Sequence, residues 1–384
     1  MAKLYIVAVE ESGDLLASEI IDEVRRKAPE TECLGIGGQH MAARGIVSPF
    51  DTSALSIMGF VEALKVYKTA VELADKAVDD IVAAAPDVVA LVDSWGYMIR
   101  VAERLRKRAP SIRIVKVVGP QVWAMRPGRA RTLSRVVDHL VCIHAFEAPF
   151  YEPFGLPITV MGNPALSRGH VGQRSAGRAA LGAADDQTVL LVLPGSRRAE
   201  IEQVAPVLVA AARQVKDKLP GARIVFHPSA NVRPQFVEAF PDIETWAQLT
   251  PHNADRFDIM AAADYALACS GTVTSELALQ QTPFLVGYHT GWITWALARF
   301  FLFKPDHITL LNIAADDQEI VPEYVQTKLL PEPIAETALR MLQDKSARNA
   351  QIAAQKKALS RMGESQLRSA EIAADVLLKE AYLR

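Results

Sequence analysis

The sequence predicts an α/β protein with two domains, each built on a doubly wound parallel sheet. Short apolar runs typical of buried strands alternate with segments in which apolar residues recur every three or four positions, as on one face of a helix. Parallel sheets covered by helices on both faces produce such a pattern. The alternation occurs once before a Gly-, Ala-, Ser- and Arg-rich stretch at 163–187, which we interpret as a linker, and once after it. The length of 384 residues also exceeds what one core usually holds.

The first half opens with a predicted strand at 4–9 and a helix from Asp14, whose apolar residues Leu16, Ile20 and Val24 are four positions apart. A second helix is predicted at 97–107. Three further buried strands are predicted at 88–92, 114–118 and 140–143.

The second half repeats this pattern, and its last stretch, 334–384, is Ala-, Lys-, Glu- and Leu-rich and therefore predicted to be helical. The predicted strands are 188–193, 224–227, 265–268 and 284–288. We expect domains at 1–165 and 186–345 that face a cleft, followed by C-terminal helices at 346–384.

Composition excludes several classes of protein. The formal net charge of −2 argues against general capture of nucleic acid. No run reaches the roughly 18 apolar residues of a spanning helix, and the first strand is too short for a signal peptide. Three scattered cysteines do not indicate a disulfide framework, so we expect a cytosolic protein. A mean hydropathy of +0.11 is nevertheless high for such a protein.

Two carboxylates of the first half are predicted beyond the carboxyl ends of strands, where open parallel sheets bind ligands. Asp93 follows an apolar strand that would partly withdraw it from water, which suits a general base. A helix begins just after Asp93, however, so a role as an N-cap is equally well supported. Asp14 stands at the start of a helix, and capping is the favoured interpretation.

The second half contains candidate phosphate-binding residues. Ser270, Gly271 and Thr272 are small or hydroxyl-bearing residues predicted at a helix N-terminus, where free N–H groups favour phosphate. Glu276, one turn further, suits ribose hydroxyls, and the planar fork of Arg197 suits a pyrophosphate. Ordinary N-capping and a surface arginine are the alternatives. Together the segments support a nucleotide site as well as they support these ordinary roles.

Other patterns are missing or ambiguous. Cys142-x-His144 lacks a second ligand pair, and no Asp-x-Asp pair, Walker loop or Gly-x-Ser-x-Gly elbow occurs, so we expect no metal and no cofactor. Apolar segments at 55–64 and 291–304 have basic neighbours, which suits a membrane surface as well as a protein core. A basic cluster follows Trp123 and consists of Arg126, Arg129, Arg131 and Arg135.

Several segments in a fixed order resemble one protein family, the lipid-A-disaccharide synthases. The matching segments are Glu10-x-Ser12-Gly13-Asp14, Gly35-x-Gly37-Gly38 with Met41, Met58-Gly59-x-Val61-Glu62, Pro86-Asp87-Val88 leading to Asp93, Pro120-x-Val122-Trp123-Ala124-x-Arg126-Pro127-Gly128-Arg129, Phe146-Glu147-x-x-Phe150-Tyr151, Leu193-Pro194-Gly195-Ser196-Arg197 with Glu200, Ser270-Gly271-Thr272 with Glu276, Asn312, and Val321-Pro322-Glu323 with Gln326. Each segment alone is weak, whereas the ordered set is specific.

The resemblance implies an inverting glycosyltransferase of the GT-B type, with two Rossmann-like domains and a C-terminal helix returning to the first. Such an enzyme transfers 2,3-diacylglucosamine from its UDP carrier to 2,3-diacylglucosamine 1-phosphate. It forms the β-1′,6-linked lipid A disaccharide 1-phosphate, releases UDP and needs no dedicated metal. The resemblance further implies peripheral attachment to the cytoplasmic face of the inner membrane. It leaves open whether the chain is a homodimer.

Carried over by position, the resemblance makes Asp93 the base for the acceptor hydroxyl and places it across the cleft from Arg197. It assigns domain 1–165 to the acceptor and the membrane, domain 186–345 to the UDP-sugar, and the helices of 346–384 to packing on the first domain. The implied UDP-sugar-binding residues are Arg197, Ser270, Gly271, Thr272, Glu276, Asn312, Glu323 and Gln326. The implied acceptor-side residues are Glu10, Ser12, Asp14, Met58, Trp123, Arg126 and Arg129.

Three positions depart from the family pattern. Val9 replaces a usual Gly, Gly96 replaces a usual Asp, and Asn163 replaces a usual His. These departures keep two alternatives open: another GT-B-type enzyme acting on a UDP-sugar, such as an epimerase or a transferase to a different lipid, and an inactive homologue that binds lipid or UDP.

Overall fold

The computed structural model describes residues 2–51, 60–168, 170–271, 273–289, 305–363 and 368–383, apart from the side chains of 60–68 and 165. Two compact units make up the chain. One consists of Met1–Ser167 together with Met362–Arg384, and the other of Arg168–Arg361. Each contains a six-stranded, wholly parallel sheet, which confirms the predicted α/β class. None of the helices in the described ranges is long and apolar enough to cross a membrane.

The first unit alternates strands and helices in chain order. Its elements before residue 168 are β1 (Lys3–Ala8), α1 (Glu11–Lys27), β2 (Glu32–Ile36), α2 (Gln39–Ala42), α3 (Phe60–Ala84), β3 (Val88–Val92), α4 (Trp95–Arg108), β4 (Arg113–Val117), α5 (Gly128–Ser134), β5 (His139–Cys142), β6 (Ile158–Val160) and α6 (Pro164–Ser167). The strand order is β2-β1-β3-β4-β5-β6.

The last helix of the chain, α16 (Ser369–Ala381), completes this unit, as the resemblance implied. Alternate residues of β1 point to opposite faces of the sheet, as the period of a strand requires. Leu4 and Ile6 pack in the core that α1 and α16 cover, whereas Tyr5 and Val7 pack in the core covered by α3 and α4. The sheet is therefore doubly wound.

The second unit has the strand order β12-β11-β10-β7-β8-β9. Its elements are α7 (Arg174–Leu181), β7 (Val189–Leu193), α8 (Arg198–Gln203), α9 (Ala205–Lys218), β8 (Arg223–Phe226), α10 (Arg233–Ala239), β9 (Gln248–Leu249), α11 (Arg256–Ala262), β10 (Tyr265–Cys269), α12 (Val273–Leu279), β11 (Phe284–Tyr288), α13 (Leu310–Ala314), β12 (Glu323–Val325), α14 (Pro331–Gln343) and α15 (Lys345–Arg361).

Two predictions about organisation were wrong. The stretch 163–187 is not an irregular linker throughout, because α7 forms within it and packs closely on α11. A Cβ added at Gly177 of α7 would lie 1.9 Å from the backbone oxygen of Asp258, so only glycine allows this approach. Residues 346–361 were expected to pack on the first domain, but α15 belongs to the second unit. The amide of its Gln351 donates to the backbone oxygen of Phe284 in β11 at 2.6 Å.

Candidate active site and nucleotide-binding cavity

The carboxyl edge of the first sheet has its topological switch point between β1 and β3, which are neighbours although β2 lies between them in sequence. Such a point opens a crevice at the strand ends, because the connections leave on opposite faces. Glu10 follows β1 and Asp93 follows β3, so the sheet brings both carboxylates to this crevice. In the first unit, the candidate carboxylates therefore lie at the carboxyl edge of the sheet, as the sequence predicts.

Asp93 lies in the turn that precedes α4, and its side chain does not cap this helix. Its φ of 55° and the φ of 39° at Ser94 lie in the left-handed region, which residues other than glycine seldom adopt. Ser94, not Asp93, occupies the N-cap position of α4. The Oγ of Ser12 donates a hydrogen bond to Oδ2 of Asp93 at 3.0 Å. Oδ1 accepts no hydrogen bond from the described part of the chain, which leaves it able to accept a proton from a ligand.

Lys116 of β4 is a buried cation beneath this turn, and the sequence analysis missed it. Its Nζ donates to the backbone oxygens of Leu91 (3.1 Å), Asp93 (2.6 Å) and Val117 (3.0 Å). Burial lowers the pKa of Lys116 to about 7, against the opposing effect of the charges on Asp93 and Glu10. The lysine therefore links the strand ends to the turn that carries Asp93.

Asp14 performs a structural task within the same edge. Its Oδ1 accepts from the backbone N of Gly38 (2.8 Å) and Met41 (3.2 Å), and its Oδ2 from the backbone N of His40 (2.7 Å). The prediction that Asp14 caps its own helix is wrong, because α1 begins at Glu11 and has Glu10 as its N-cap. Asp14 instead holds the backbone at the start of α2. A Cβ at Gly38 would lie 2.9 Å from Oδ2 of Asp14, which explains the glycine there.

A further wall of the first-unit site comes from the segment after β4. Val118 and Arg126 have φ values of 66° and 52°, so this segment also contains left-handed residues. The ring of Trp123 meets Phe146 edge-on at 5.4 Å. The guanidinium of Arg129, in α5, lies 5.2 Å from the centroid of the Trp95 ring at the start of α4. These contacts connect the basic segment to the turn containing Asp93.

Glu147, from the Phe-Glu-x-x-Phe-Tyr segment, is buried behind this wall. Its Oε1 accepts from the backbone N of His144 at 2.9 Å. Burial raises the pKa of Glu147 to about 7 and lowers that of His144 to about 4. The His144 ring stacks on Phe146 at 4.8 Å, so the pair supports the aromatic contact with Trp123 from inside the core.

The switch point of the second sheet lies between β7 and β10. A cavity of about 280 Å³ opens there, at the carboxyl ends of the strands. The sequence-predicted residues Arg197, Ser270, Gly271 and Glu276 all line it. Its other lining residues are Leu193, Gly195, Ser196, Glu200, His227, Ser229, Arg256, Met260, Cys269 and Val273.

Glu200 shapes the loop between β7 and α8. Its Oε2 accepts from the backbone N of Ser196 (2.7 Å) and Arg197 (3.2 Å). Gly195 has a φ of 128°, and a Cβ there would lie 2.6 Å from the Cβ of Glu200. The side chain of Arg197 remains 80% exposed, with Nη1 3.5 Å from Oε1 of Glu200. The loop therefore offers a guanidinium to the cavity from a fixed backbone.

The opposite side of this cavity holds an ion pair and a neutral histidine. Nη2 of Arg256 lies 2.8 Å from Oε1 of the buried Glu276. Burial raises the pKa of Glu276, and Arg256 opposes that rise. Burial, followed by the charges of Arg233 and Arg256, lowers the pKa of His227 to about 4, and its Nδ1 lies 2.9 Å from Thr250 Oγ1. The cavity thus combines cationic groups, which suit a phosphate, with hydrogen-bonding groups, which suit a nucleoside.

Three predicted UDP-binding residues do not line this cavity. Asn312 is fully buried: its Nδ2 donates to Oε1 of Glu323 (2.8 Å) and to the backbone O of Val321 (2.8 Å), and its Oδ1 accepts two backbone N–H groups. Glu323 also accepts from the backbone N of Ile308 (2.9 Å) and Thr309 (2.8 Å), just before α13. Gln326 is buried, with a φ of 55°. Asn312 and Glu323 therefore organise the start of α13.

Some predicted positions lie outside the described residues, namely Met58, Thr272, the first half of the apolar segment 55–64 and the segment 291–304. The three departures from the family pattern are described. Val9 is buried in the core under α3 and α4, and Gly96 is exposed in the first turn of α4. The backbone O of Asn163 accepts from the N atoms of Leu166 and Ser167 at the start of α6.

Lys116, His227 and Arg256 are the residues of these two sites that sequence reasoning missed. Two of them had a signal: a lysine interrupts the apolar run 114–118, and a histidine ends the predicted strand 224–227. Both positions are near the carboxyl ends of predicted strands, where open parallel sheets bind ligands. Arg256 had none, because only the tertiary fold brings α11 beside α12.

Sequence comparison relates this chain to one protein family. Residues 4–377 match the family described as lipid-A-disaccharide synthetase. The lipid-A-disaccharide synthase of Rhodospirillum centenum is 34% identical over 351 residues, covering 91% of this chain and 87% of the relative. That of Ruegeria pomeroyi is 35% identical over 388 residues, covering 98% and 96%. That of Rickettsia felis is 30% identical over 385 residues, covering 100% and 97%.

Solved structures share the fold at low identity. The UDP-GlcNAc 2-epimerase of Neisseria meningitidis, bound to UDP-GlcNAc, matches with a TM-score of 0.54 and 14% identity, over 99% of this chain and 100% of that one. A glycosyltransferase of Rickettsia africae matches with a TM-score of 0.55 and 11% identity, over 100% and 99%. These likenesses show the fold alone. The sequence matches are decisive, and the chain belongs to the lipid-A-disaccharide synthase family.

Proposed function

We propose that this glycosyltransferase moves 2,3-diacylglucosamine from UDP to the 6-hydroxyl of 2,3-diacylglucosamine 1-phosphate, with Asp93 as the general base. The observation that carries the proposal is the state of the Asp93 carboxylate. Ser12 fixes Oδ2, and Oδ1 is open to a ligand hydroxyl at the switch point of the sheet. Deprotonation by Oδ1 would make the hydroxyl a nucleophile as its oxygen attacks the anomeric carbon.

The cavity of the second unit is proposed to hold the UDP group. Arg197, with its exposed guanidinium on a fixed loop, is suited to the pyrophosphate, whose negative charge grows as the bond to the sugar breaks. Glu276 and its partner Arg256 are suited to the ribose and the adjoining phosphate. Inversion at the anomeric carbon requires the hydroxyl and the departing UDP to be on opposite sides of it. We also propose that Ser270, Gly271 and Thr272 bind phosphate, as the sequence predicts.

Replacement of Asp93 tests the base. With both diacylated sugars supplied, Asp93→Asn should lower the rate of UDP release by about 10²-fold or more, because a general base contributes about 10²–10⁴. UDP binding, measured by calorimetry, should not change. Asp79→Asn, on the exposed surface of α3, is the matched control and should retain full activity. Unchanged turnover in Asp93→Asn would remove this residue from the mechanism.

The two alternative functions make different predictions in the same assay. An epimerase would convert UDP-N-acetylglucosamine without any acceptor, whereas a transferase would not. An inactive homologue would bind UDP and release none when both sugars are present. Membership of the family favours transfer over both alternatives.

We also infer that the chain works at a membrane surface, on the cytoplasmic face of the inner membrane. Both proposed substrates carry acyl chains, and each CH₂ group withdrawn from water is worth about 0.8 kcal/mol. Exposed arginines on and after α5 would add attraction to anionic lipid. Arg131 and Arg135 are exposed and form no ion pair within the described ranges. A homodimer remains compatible with this arrangement.

A further inference from the structure

Two arginines near Asp93 lack a carboxylate partner. Arg126 is exposed and Arg129 is half-buried, and neither forms an ion pair with any residue that the structure describes. Both residues belong to one turn of the backbone, in which the N atom of Arg129 donates to the backbone oxygen of Arg126 at 3.0 Å. Burial, followed by the charge of Arg126, lowers the pKa of Arg129. Two neighbouring guanidinium groups without a carboxylate partner suit an anion of more than one negative charge.

The position of this pair is fixed by the surrounding structure. Arg129 stacks on Trp95, which is only two residues beyond Asp93 in sequence. Arg126 has a φ of 52°, a backbone conformation that costs energy for a residue with a side chain. Strain of this kind persists where the surrounding structure enforces it, commonly at ligand-binding sites. Arg129 is thus held against the start of α4, the helix that follows Asp93, and Arg126 lies three residues before it in a fixed backbone conformation.

We propose that Arg126 and Arg129 bind a phosphate monoester, the phosphate carried by the acceptor sugar. This inference rests on the proposed function and extends it to the recognition of the acceptor. The phosphate is on C1 of the sugar and the reacting hydroxyl is on C6, so the two groups flank the ring oxygen. With the hydroxyl at Asp93 and the phosphate at the arginine pair, the acceptor would be held at two points, one on each side of that oxygen. A phosphate dianion would also neutralise both guanidinium groups, with paired N–H···O bonds to each.

The test compares an acceptor with its analogue that lacks the phosphate, both in neutral detergent micelles. For Arg126→Ala and Arg129→Ala, KM for the phosphorylated acceptor should rise at least about tenfold, because each variant loses charge-assisted hydrogen bonds. The kcat/KM for the acceptor without phosphate should equal that of the unaltered protein. Arg129→Lys should show a smaller rise, since it keeps the charge and loses the fork. Arg108→Ala, whose arginine pairs with Asp79 at the far end of α4, should behave normally.

Two results would overturn the inference. An equal loss on both acceptors would show that the arginines only maintain the fold. Weaker binding to vesicles of anionic lipid, with an unchanged KM in neutral micelles, would assign the pair to lipid headgroups instead. Direct binding of the phosphorylated acceptor, measured by calorimetry, separates this inference from the proposed function. If transfer were never observed but both variants bound this acceptor more weakly than the unaltered protein, the phosphate site would stand without the reaction.

Discussion

Lys116 is the residue that most directly determines the conformation of the Asp93 turn. A left-handed aspartate followed by a left-handed serine is costly, and the turn needs contacts that hold it. The hydrogen bond from Lys116 Nζ to the backbone oxygen of Asp93 is the shortest of the three that the lysine makes. The lysine is therefore a positioning residue, which acts on the reaction only through Asp93.

Replacement of Lys116 by a side chain of similar length should change the position of Asp93 and leave the fold intact. Lys116→Met removes all three hydrogen bonds and should lower kcat about tenfold or more, because misplacing a base by a fraction of an ångström is costly. KM for the UDP-sugar should not change. Lys107→Met, on the exposed surface of α4, is the matched control. An unaltered kcat in Lys116→Met would contradict the positioning role.

The same variant also measures how the buried charge of Lys116 affects stability, because this effect changes with pH. The pKa of Lys116 is about 7 in the folded protein and 10.5 for an unperturbed lysine. Between these values the unfolded chain holds a proton that the folded protein has lost, so stability rises with pH. The free energy of unfolding of the unaltered protein, relative to Lys116→Met, should therefore rise by up to about 1.4 kcal/mol per pH unit. Denaturation series from pH 7 to 10 would measure it.

The positions of single site residues could be predicted only where a local sequence pattern indicates them. Asp93 and Arg197 follow apolar runs, and the strand-end rule selected both from sequence. The partners of Asp14 could not be predicted, since they lie in α2, more than twenty residues further on. The hydrogen bonds that Asn312 donates to Val321 and Glu323 likewise depend on a tertiary contact.

Among the elements, the loop from β7 to α8 depends on one glycine. Gly195→Ala would place a methyl group against Glu200 and require a φ that alanine rarely adopts. Backbone strain of about 1–3 kcal/mol is expected. Because the Ser196 and Arg197 amides would then lose their fixed position, the Kd for UDP should rise about tenfold or more in calorimetry.

Gly221→Ala is the control for this loop. A Cβ at Gly221 would meet no atom within 4 Å, so alanine should leave both UDP binding and Tm unchanged. If Gly195→Ala bound UDP as tightly as Gly221→Ala does, the loop would not form part of the nucleotide site.

The four strands that the sequence did not predict are β2, β6, β9 and β12, and each is an edge strand of its sheet. Inner strands such as β3 and β7 are buried along their whole length, whereas β6 and β12 are only half-buried. A strand buried on both faces is usually a near-continuous apolar run, and an edge strand need not be. Hydrophobic pattern therefore predicts the centre of a parallel sheet better than its edges.

At the scale of the whole molecule, a net charge of −2 conceals a basic surface in the first unit. Arg131→Gln combined with Arg135→Gln should weaken binding to anionic vesicles about thirtyfold, because each cation near such a surface contributes about 1 kcal/mol. Cosedimentation with vesicles of stated phosphatidylserine content would measure this. Lys345→Gln combined with Lys356→Gln removes the same charge from the second unit. An equal loss in that control would mean that net charge alone governs binding.

The first unit is built from both ends of the chain, and this affects its synthesis. Until α16 leaves the ribosome, the sheet face of β1, β3 and β4 that this helix covers stays open to water. The second unit has all of its residues before then and is free to fold first. At about 5–20 residues per second, translation from Ser167 to the end of α16 at Ala381 takes roughly 10–40 s. The unit that is begun first is therefore completed last, and an apolar face of its sheet stays uncovered throughout that interval.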